Sequence, residues 1–487
     1  MVKNRRMTER FELIKPKILP PLDEGFRPAV LANRAFEREV AGSGVPLVFA
    51  LERDGGNLSR FETRVFPEDH PRAGANLFYA ERLLKFLLWQ RGGYRVYIGG
   101  PPGIAAYLKQ RYSAEGARRF DYRFMGEQVY ERTFTVIPCD PSELPPAQAT
   151  GKPLGRHLDG CRIGFDLGAS DRKVSAVIDG EVVYSEEVIW EPRVHPDPEY
   201  HYREIMASLA SAAAKLPRVD AIGGSSAGIY IDNHPMVASL FRAVPPQRFH
   251  EVKDLFLRIR AELGVPLEVI NDGDVTALAG AMSLEEDGVL GIAMGSSEAA
   301  GYVDMQGHIL GWLNELAFAP VDYSPDAPSD EWSGDAGCGA QYFSQQCVFR
   351  LGPQVGLPIP VNVTDAQKLE FVQEYLEAGH AGAVKIWQTM GIYLGYGVAH
   401  YADFYEINHV LILGRCTSGR GGALILEGAI AVLRAEFPEL VDRIHIHLPD
   451  ERSRRVGQSI AAASLPEISS REEVQPPKRS QSTQRTI

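Results

Sequence analysis

Four segments of the chain run from an apolar stretch straight into carboxylate, glycine and hydroxyl residues, the types that handle phosphate and protons. The first is Asp166-Leu167-Gly168-Ala169-Ser170-Asp171. Small residues let a backbone approach phosphate oxygens, and a carboxylate at the end of a buried strand can hold Mg2+ directly or through water. The same residues also suit a plain hairpin turn with a surface Asp. The second is Val269-Ile270-Asn271-Asp272-Gly273-Asp274, leading into VTALAGAM. Here an apolar strand delivers carboxylates to a helix N-terminus. One of Asp272 and Asp274 is expected to cap the helix, which leaves the other free to take a proton from a substrate hydroxyl.

The third segment is Met294-Gly295-Ser296-Ser297-Glu298-Ala299-Ala300-Gly301. Its small residues can wrap a phosphate with N–H groups and hydroxyls, or form a tight hairpin into Tyr302-Val303-Asp304. The fourth, Leu413-Gly414-Arg415-Cys416-Thr417-Ser418-Gly419-Arg420-Gly421-Gly422, opens a helix and suits an adenosine. It departs from the Walker pattern GxxxxGK[ST], and a single glycine-rich loop is weak on its own.

The elements that must position these segments alternate between strand and helix from Cys161 onward, an α/β pattern. CRIGFDLG and KVSAVID read as a hairpin; VDAIGGSSAG, LEVINDGD, VLGIAMGSS and HVLILGRC each read as a strand entering a loop. VKDLFLRIRAEL and the stretch from about 365 to 405 read as helices, and Gly391 to Glu406 as a packed core helix. Before them, VPLVFALE and SRFETRVF read as strands, NLFYAERLLKFLLWQ as an amphipathic helix, and YRVYIGG as a strand turning at Gly99–Pro102 into GIAAYLKQRY. The linker PCDPSELPPAQATGKPLG follows. The expected organisation is an N-terminal α/β region (1–150), a first lobe (160–285), a second lobe (286–464) and a polar, disordered tail (465–487).

Bulk properties narrow the classes. The 487 residues suffice for two or three domains, and 45% hydrophobic with 23% charged residues is an ordinary globular balance. No apolar run approaches the ~20 residues of a membrane span, and the basic start lacks the apolar core of a secretory signal. The net charge of −12, without a long Lys/Arg block, argues against nucleic acid as a partner. Five scattered cysteines (Cys139, Cys161, Cys338, Cys347, Cys416) read as reduced thiols of a cytoplasmic protein. His195 and His201 fall in a segment, HPDPEYHY, that reads as a solvated loop. His445 and His447 read as structural residues on one face of a strand.

Taken in order and spacing, the four segments resemble the ROK family of sugar kinases, within the actin/hexokinase/Hsp70-like superfamily. The resemblance spans Arg162 to Ala463, about three-fifths of the chain. It implies a two-lobed actin-like (ribonuclease H-like) core carrying the additional N-terminal α/β region. It also implies ATP as phosphoryl donor, Mg2+ near Asp166, a hexose-like substrate and a homodimer. Asp166, Gly168, Ala169 and Ser170 match the family's D-x-G-G-T phosphate turn, and Gly295, Ser296 and Ser297 open its second phosphate loop. Gly414 and Arg415 fall at its adenosine loop. Asn271-Asp272 matches its N-D motif, with Asp272 as general base. Gly228, Asn271, Asp272 and Glu315 take the sugar-contact positions. Phe318 stands where the family's G-E-x-G-H motif has His, which should change the sugar accepted. Only Cys338 and Cys347 lie where the family has a Cys-rich zinc site, so no structural zinc is expected. The altered phosphate loop keeps a second reading open, a sugar-binding regulatory protein of the same fold without catalysis. The third reading is another superfamily chemistry, such as acyl-phosphate formation.

Overall fold

The computed structural model describes residues 11–148, 154–449 and 451–468, without the side chains of 451–456. The basic start, part of the linker and most of the expected tail lie outside the described residues. In the N-terminal region, helix α1 (Ala29–Val40) precedes strands β1 (Val45–Glu52) and β2 (Leu58–Val65), then α2 (Ala75–Arg91), β3 (Arg95–Gly99), α3 (Pro102–Arg111) and β4 (Thr135–Cys139). They build a sheet of order β2-β1-β3-β4, with β4 parallel to β3 and the other neighbours antiparallel.

Helix α2 departs from the amphipathic pattern its sequence predicts. It is buried all round, including Glu81, Arg82 and Lys85. Buried charges persist only when paired, and these are. Lys85 Nζ lies 2.9 Å from Asp121, and Arg82 and Arg118 lie 3.0 and 2.8 Å from Asp335. Asp335 is some 250 positions away in sequence from Arg82, and this pairing ties the N-terminal region to the second lobe.

The first lobe is a five-stranded sheet of order β11-β8-β5-β6-β7. It comprises β5 (Cys161–Leu167), β6 (Asp171–Ile178), β7 (Glu181–Ile189), α4 (Pro198–Ala213), β8 (Ala221–Ser226), the small hairpin β9 (Ile229–Ile231) and β10 (His234–Val237), and β11 (Leu267–Asn271). Strands β5, β8 and β11 are parallel, and β6 runs antiparallel to both of its neighbours. The second lobe repeats this plan. After α5 (Asp272–Leu284) come the hairpin β12 (Val289–Met294) and β13 (Glu298–Val303), then α6 (Ala381–Tyr401). Strand β14 (His409–Leu413), α7 (Arg420–Glu436) and β15 (His445–His447) complete it, and α8 (Glu451–Ala463) returns to the sheet of the first lobe. The order is β13-β12-β14-β15, with β14 and β15 parallel to β12. Antiparallel strands followed by parallel ones, a three-stranded meander in the first lobe and a hairpin in the second, make the two-lobed ribonuclease H-like architecture.

Several predicted helices are shorter than their patterns. The 365–405 stretch splits into Asp365–Glu377 and α6, parted by Gly379 at φ +79°. VKDLFLRIRAEL splits into Phe249–Lys253 and Leu255–Leu263. HPDPEYHY is a loop only as far as Asp197: α4 begins at Pro198, Asp197 caps it, and His201 is buried with its ring nitrogens on the carbonyls of Asp197 and Pro192. The five cysteines are free. No described helix is long and apolar enough to cross a membrane.

One hydrophobic core is shared by the N-terminal region and the second lobe. Phe26 packs on Tyr342, Tyr393 and Tyr396, and Phe86 stacks on Phe404 at 3.9 Å. The first lobe has a separate core around Phe165, Ile205 and Phe256. The N-terminal region also reaches that lobe through packing of β10 on residues 124–129 and an ion pair between Glu131 and Lys253.

Helices α5 and α8 pack together, and α8 lies directly on β5 and β8. Glycines permit this approach: a Cβ at Gly223 would stand 1.7 Å from Ala462 O, and one at Gly164 would stand 2.0 Å from Ser459 O. Both opposing atoms are backbone, which cannot rotate aside. Gly223→Ala is therefore expected to destabilise the fold by at least the ~1–3 kcal/mol typical of overpacking, read as a lowered urea midpoint.

Candidate active site

The parallel strands β11, β8 and β5 end side by side, the edge where open α/β sheets bind ligands. Their register sets Asp166 beside Ser225, and Ser226 beside Asn271. Asp166 is half-buried; burial raises its carboxyl above the usual range, with the Ser225 hydroxyl and Lys173 acting against that. Beyond it, Gly168 N–H bonds Asp171 O at 2.9 Å, and Trp190 donates to the carbonyls of Gly168 and Ser170. Ala169 and Ser170 are exposed at the tip.

Helix α5 starts where β11 ends, and its cap differs from the expectation. Asn271, and neither aspartate, is the N-cap: its Oδ1 accepts the Gly273 N–H at 2.7 Å. Its Nδ2 donates to Gly228 O at 2.8 Å, which fixes the β8–β9 loop against the helix start. Asp272 accepts the Gly273 N–H at 3.0 Å and stays half-exposed. Asp274 turns inward, where its Oδ1 accepts from Tyr302 N (3.2 Å) and Asn314 Nδ2 (2.9 Å). A Cβ at Gly301 would stand 2.1 Å from Gly273 O, so two glycines allow the first turn of α5 to rest on β13.

The loop before residues 316–318 is held from the N-terminal region. The last carbonyls of a helix lack intrahelical partners. At the end of α2, Gln90 O accepts Asn314 N–H and Trp89 O accepts Glu315 N–H, both at 2.9 Å. Asn314 is buried at φ +50°, a left-handed conformation that Asn tolerates better than most residues. Its side chain donates to Asp274 and accepts from the Tyr405 hydroxyl at 2.9 Å.

These contacts gather carboxyl groups at the junction of the three regions. Burial and the neighbouring Asp166 push Asp272 up to about 6. Burial pushes Asp274 up to about 7 despite its bonds from Tyr302 and Asn314. Burial, Asp272 and Asp274 push Glu315 up to about 7. Glu298 is the most deeply held: Tyr401 donates to Oε1 at 2.9 Å, and Oε2 is buried without a hydrogen-bond partner. Burial and Glu315 push it up to about 8.

In the second lobe, Gly295 N–H bonds Ser297 O (3.1 Å), its carbonyl accepts from Gln345 N, and Ser296 and Ser297 are exposed. Gly414 has φ +98°, and a Cβ there would stand 2.6 Å from Met294 O. The β14 loop thus lies on the end of β12, bringing Gly295 and Gly414 together. Arg415 is exposed, and its carbonyl accepts from Gln373.

The structure therefore groups Asp166, Gly228, Asn271, Asp272 and Glu315 on one side, and Gly295, Ser296, Ser297, Gly414 and Arg415 on the other. The turn 168–170 belongs to the first group by its strand, with its contacts inside its own hairpin and to Trp190. The sequence reading passed over Asn314, Asp274 in its inward role, and Glu298. A lone Glu among small residues in Ser297-Glu298-Ala299-Ala300 was the available signal. Among the described residues no group of three or more His, Cys, Asp or Glu is placed to hold a metal.

The chain is similar to solved structures of ROK-family proteins. A ROK hexokinase from Thermus thermophilus is 17% identical, with 62% of this chain and 98% of that chain covered and a TM-score of 0.49. A ROK family glucokinase from Streptomyces griseus, solved with glucose and AMPPNP, is 20% identical over 62% and 99%, with a TM-score of 0.44. A ROK family transcriptional regulator, a homologue of the E. coli MLC protein, is 18% identical over 63% and 79%, with a TM-score of 0.48. No protein-family profile and no curated protein matches the chain.

The raised carboxyls have a consequence for stability. The folded state binds their protons more tightly than the unfolded chain, where such groups titrate near 4. The resulting stabilisation is fully present below that pH and is lost as pH rises through about 6 to 8. Urea midpoints measured from pH 5 to 9 should fall with rising pH, and Glu298→Gln should flatten the slope at its upper end. An unchanged slope in that variant would show that Glu298 is ionised in the fold.

Proposed function

We propose that the chain transfers the γ-phosphoryl group of ATP to a hydroxyl of a hexose-like sugar, with Asp272 as general base. The observation that carries this reading is the setting of Asp272. It is a half-exposed carboxylate at a helix N-terminus, beside the ends of parallel strands, with its basicity raised by burial and by Asp166. In this reading the substrate hydroxyl gives its proton to Asp272 as its oxygen bonds the γ-phosphorus. The bond from that phosphorus to the bridging oxygen breaks, and ADP leaves. Gly228, Asn271 and Glu315 hold the remaining sugar hydroxyls. The backbone of Gly168–Ser170 and Gly295–Ser297 faces the phosphates, and Gly414 and Arg415 face the adenosine. Such reactions rest chiefly on positioning and charge stabilisation.

The half-buried Asp166 carboxylate fits Mg2+, which takes one or two carboxylates together with substrate phosphates and keeps several waters. When bound there, the ion would neutralise phosphate charge. Asp166 would hold it, and Lys173 sits near enough to influence that carboxylate.

The second loop favours one alternative, a sugar-binding protein without phosphoryl transfer. Gly295 N–H is already spent on Ser297 O, which leaves one donor fewer for phosphate. ADP release from ATP·Mg2+ across hexoses, amino sugars and polyols separates the two. Sugar-dependent turnover is expected, and Asp272→Asn should lower kcat by ~10²–10⁴-fold, the usual worth of a general base. Sugar binding with no turnover on any compound would favour the alternative, and full turnover in Asp272→Asn would remove the base assignment.

A further inference from the structure

Beside its contact with the first lobe, the N-terminal region carries an open cleft of about 470 Å³, lined by Tyr122, Glu127, Glu131, Arg132, Thr133 and Phe134. That volume falls within the roughly 300–1,000 Å³ usual for small-molecule sites. No residue of the proposed phosphoryl-transfer site lines it. The backbone fixes its walls. Residues 124–129 form a turn of π-helix, a rare conformation that recurs at functional sites. Arg132 N–H bonds Gly126 O at 2.7 Å, and a Cβ at Gly126 would stand 2.8 Å from Arg132 O, so the glycine lets the two walls meet. Glu131 holds φ at +49°, a left-handed conformation that a residue with a Cβ adopts rarely and at a cost. Phe134 is buried; it meets Tyr122 edge-on, with ring centroids 6.0 Å apart, and stacks on Tyr112 at 5.9 Å.

The charged groups of the cleft are not equally engaged. Arg132 donates Nε–H to Asp54 at 2.9 Å and lies over the Tyr94 ring at 5.0 Å. Glu131 pairs with Lys253, which the first lobe supplies. Glu127 is exposed and has no ion-pair partner among the described residues. Two pairs therefore cancel, and one carboxylate remains in a cleft that also holds two aromatic rings. That set suits a cation, because ring faces attract an ammonium and a carboxylate accepts its N–H donors. A small anion would meet Glu127 with both neighbouring cations already engaged.

We propose that this cleft binds a small molecule carrying an ammonium group, held by Glu127 and by the rings of Tyr122 and Phe134, in competition with Lys253 for Glu131. The competition links the cleft to the first lobe. Lys253 ends the short helix Phe249–Lys253, and its carbonyl lies 3.0 Å from His234 Nδ1 on β10. Strand β10 is the element that packs on residues 124–129. A ligand that takes Glu131 therefore releases one of the ties between the N-terminal region and the first lobe.

Ligand-observed NMR titrations of the full chain with benzylamine, and with benzyl alcohol as its uncharged counterpart, test the site. Benzylamine is expected to bind more tightly than benzyl alcohol, and Glu127→Gln should weaken its binding by about 2- to 5-fold, the worth of an exposed ion pair. Tyr122→Leu, which stays apolar but removes the ring face, should weaken it by a similar factor. Lys253→Gln leaves Glu131 without its partner and should tighten binding. Asp272→Asn, which alters the carboxyl groups of the proposed active site, should leave it unchanged. Unfolding midpoints would establish that each variant folds. No binding of benzylamine, equal binding of benzyl alcohol, an affinity unchanged in Glu127→Gln or Lys253→Gln, or binding lost in Asp272→Asn would overturn the site.

Discussion

A helix that ends inside a protein must find partners for its last carbonyl oxygens, and the end of α2 finds them in the backbone of Asn314 and Glu315. That requirement organises the site. It brings the N-terminal region against the second lobe at the loop that carries Glu315. It also holds Asn314 in a left-handed turn from which its amide reaches Asp274 in the first turn of α5. Asp272 is two residues upstream on that same turn. The route from the N-terminal region to the proposed base is therefore two hydrogen bonds and one turn of helix, all buried. The N-terminal region thus holds the loop that carries Glu315 and packs on both lobes.

The second constraint is electrostatic. Asp272, Asp274, Glu298 and Glu315 influence one another in a setting that disfavours charge, and each is raised chiefly by burial. The fold satisfies them unequally. Asp274 and Glu298 accept hydrogen bonds from Asn314, Tyr302 and Tyr401 and act as internal supports. Asp272 accepts from the adjacent backbone and keeps contact with solvent. Two aspartates separated by one residue thus differ in setting, because the helix turn points one inward and leaves the other half-exposed.

Much of this was legible in the chain. Cys161–Leu167, Leu267–Asn271, Val289–Met294 and His409–Leu413 form strands that end in the loops their sequences announced, since short apolar runs leading into Gly, Asp and Ser leave little choice of structure. What escaped the sequence depended on distant partners. The helix carrying Glu81, Arg82 and Lys85 read as amphipathic, because the groups that neutralise these charges come from outside its own segment: Asp335 and Asp121 for the two cations, Arg118 for Glu81. The cap on α5 went to Asn271 because its amide can also bond Gly228 O, a contact that exists only once β8 and β11 are paired. His201 read as a loop residue although its partners are local, the carbonyls of Asp197 and Pro192, because they converge on its ring only once the turn before α4 has formed.

The central claim is that Asp272 acts as a base whose affinity for protons is raised by its burial beside Asp166. The pH dependence of kcat/KM for sugar-dependent phosphoryl transfer tests it directly, because that profile reports groups of the free enzyme. The account predicts a rate that climbs with pH and levels off above an apparent pKa near 6, as Asp272 loses its proton. A profile already flat from pH 5 upward, with the carboxylate titrating in its ordinary range, would contradict it.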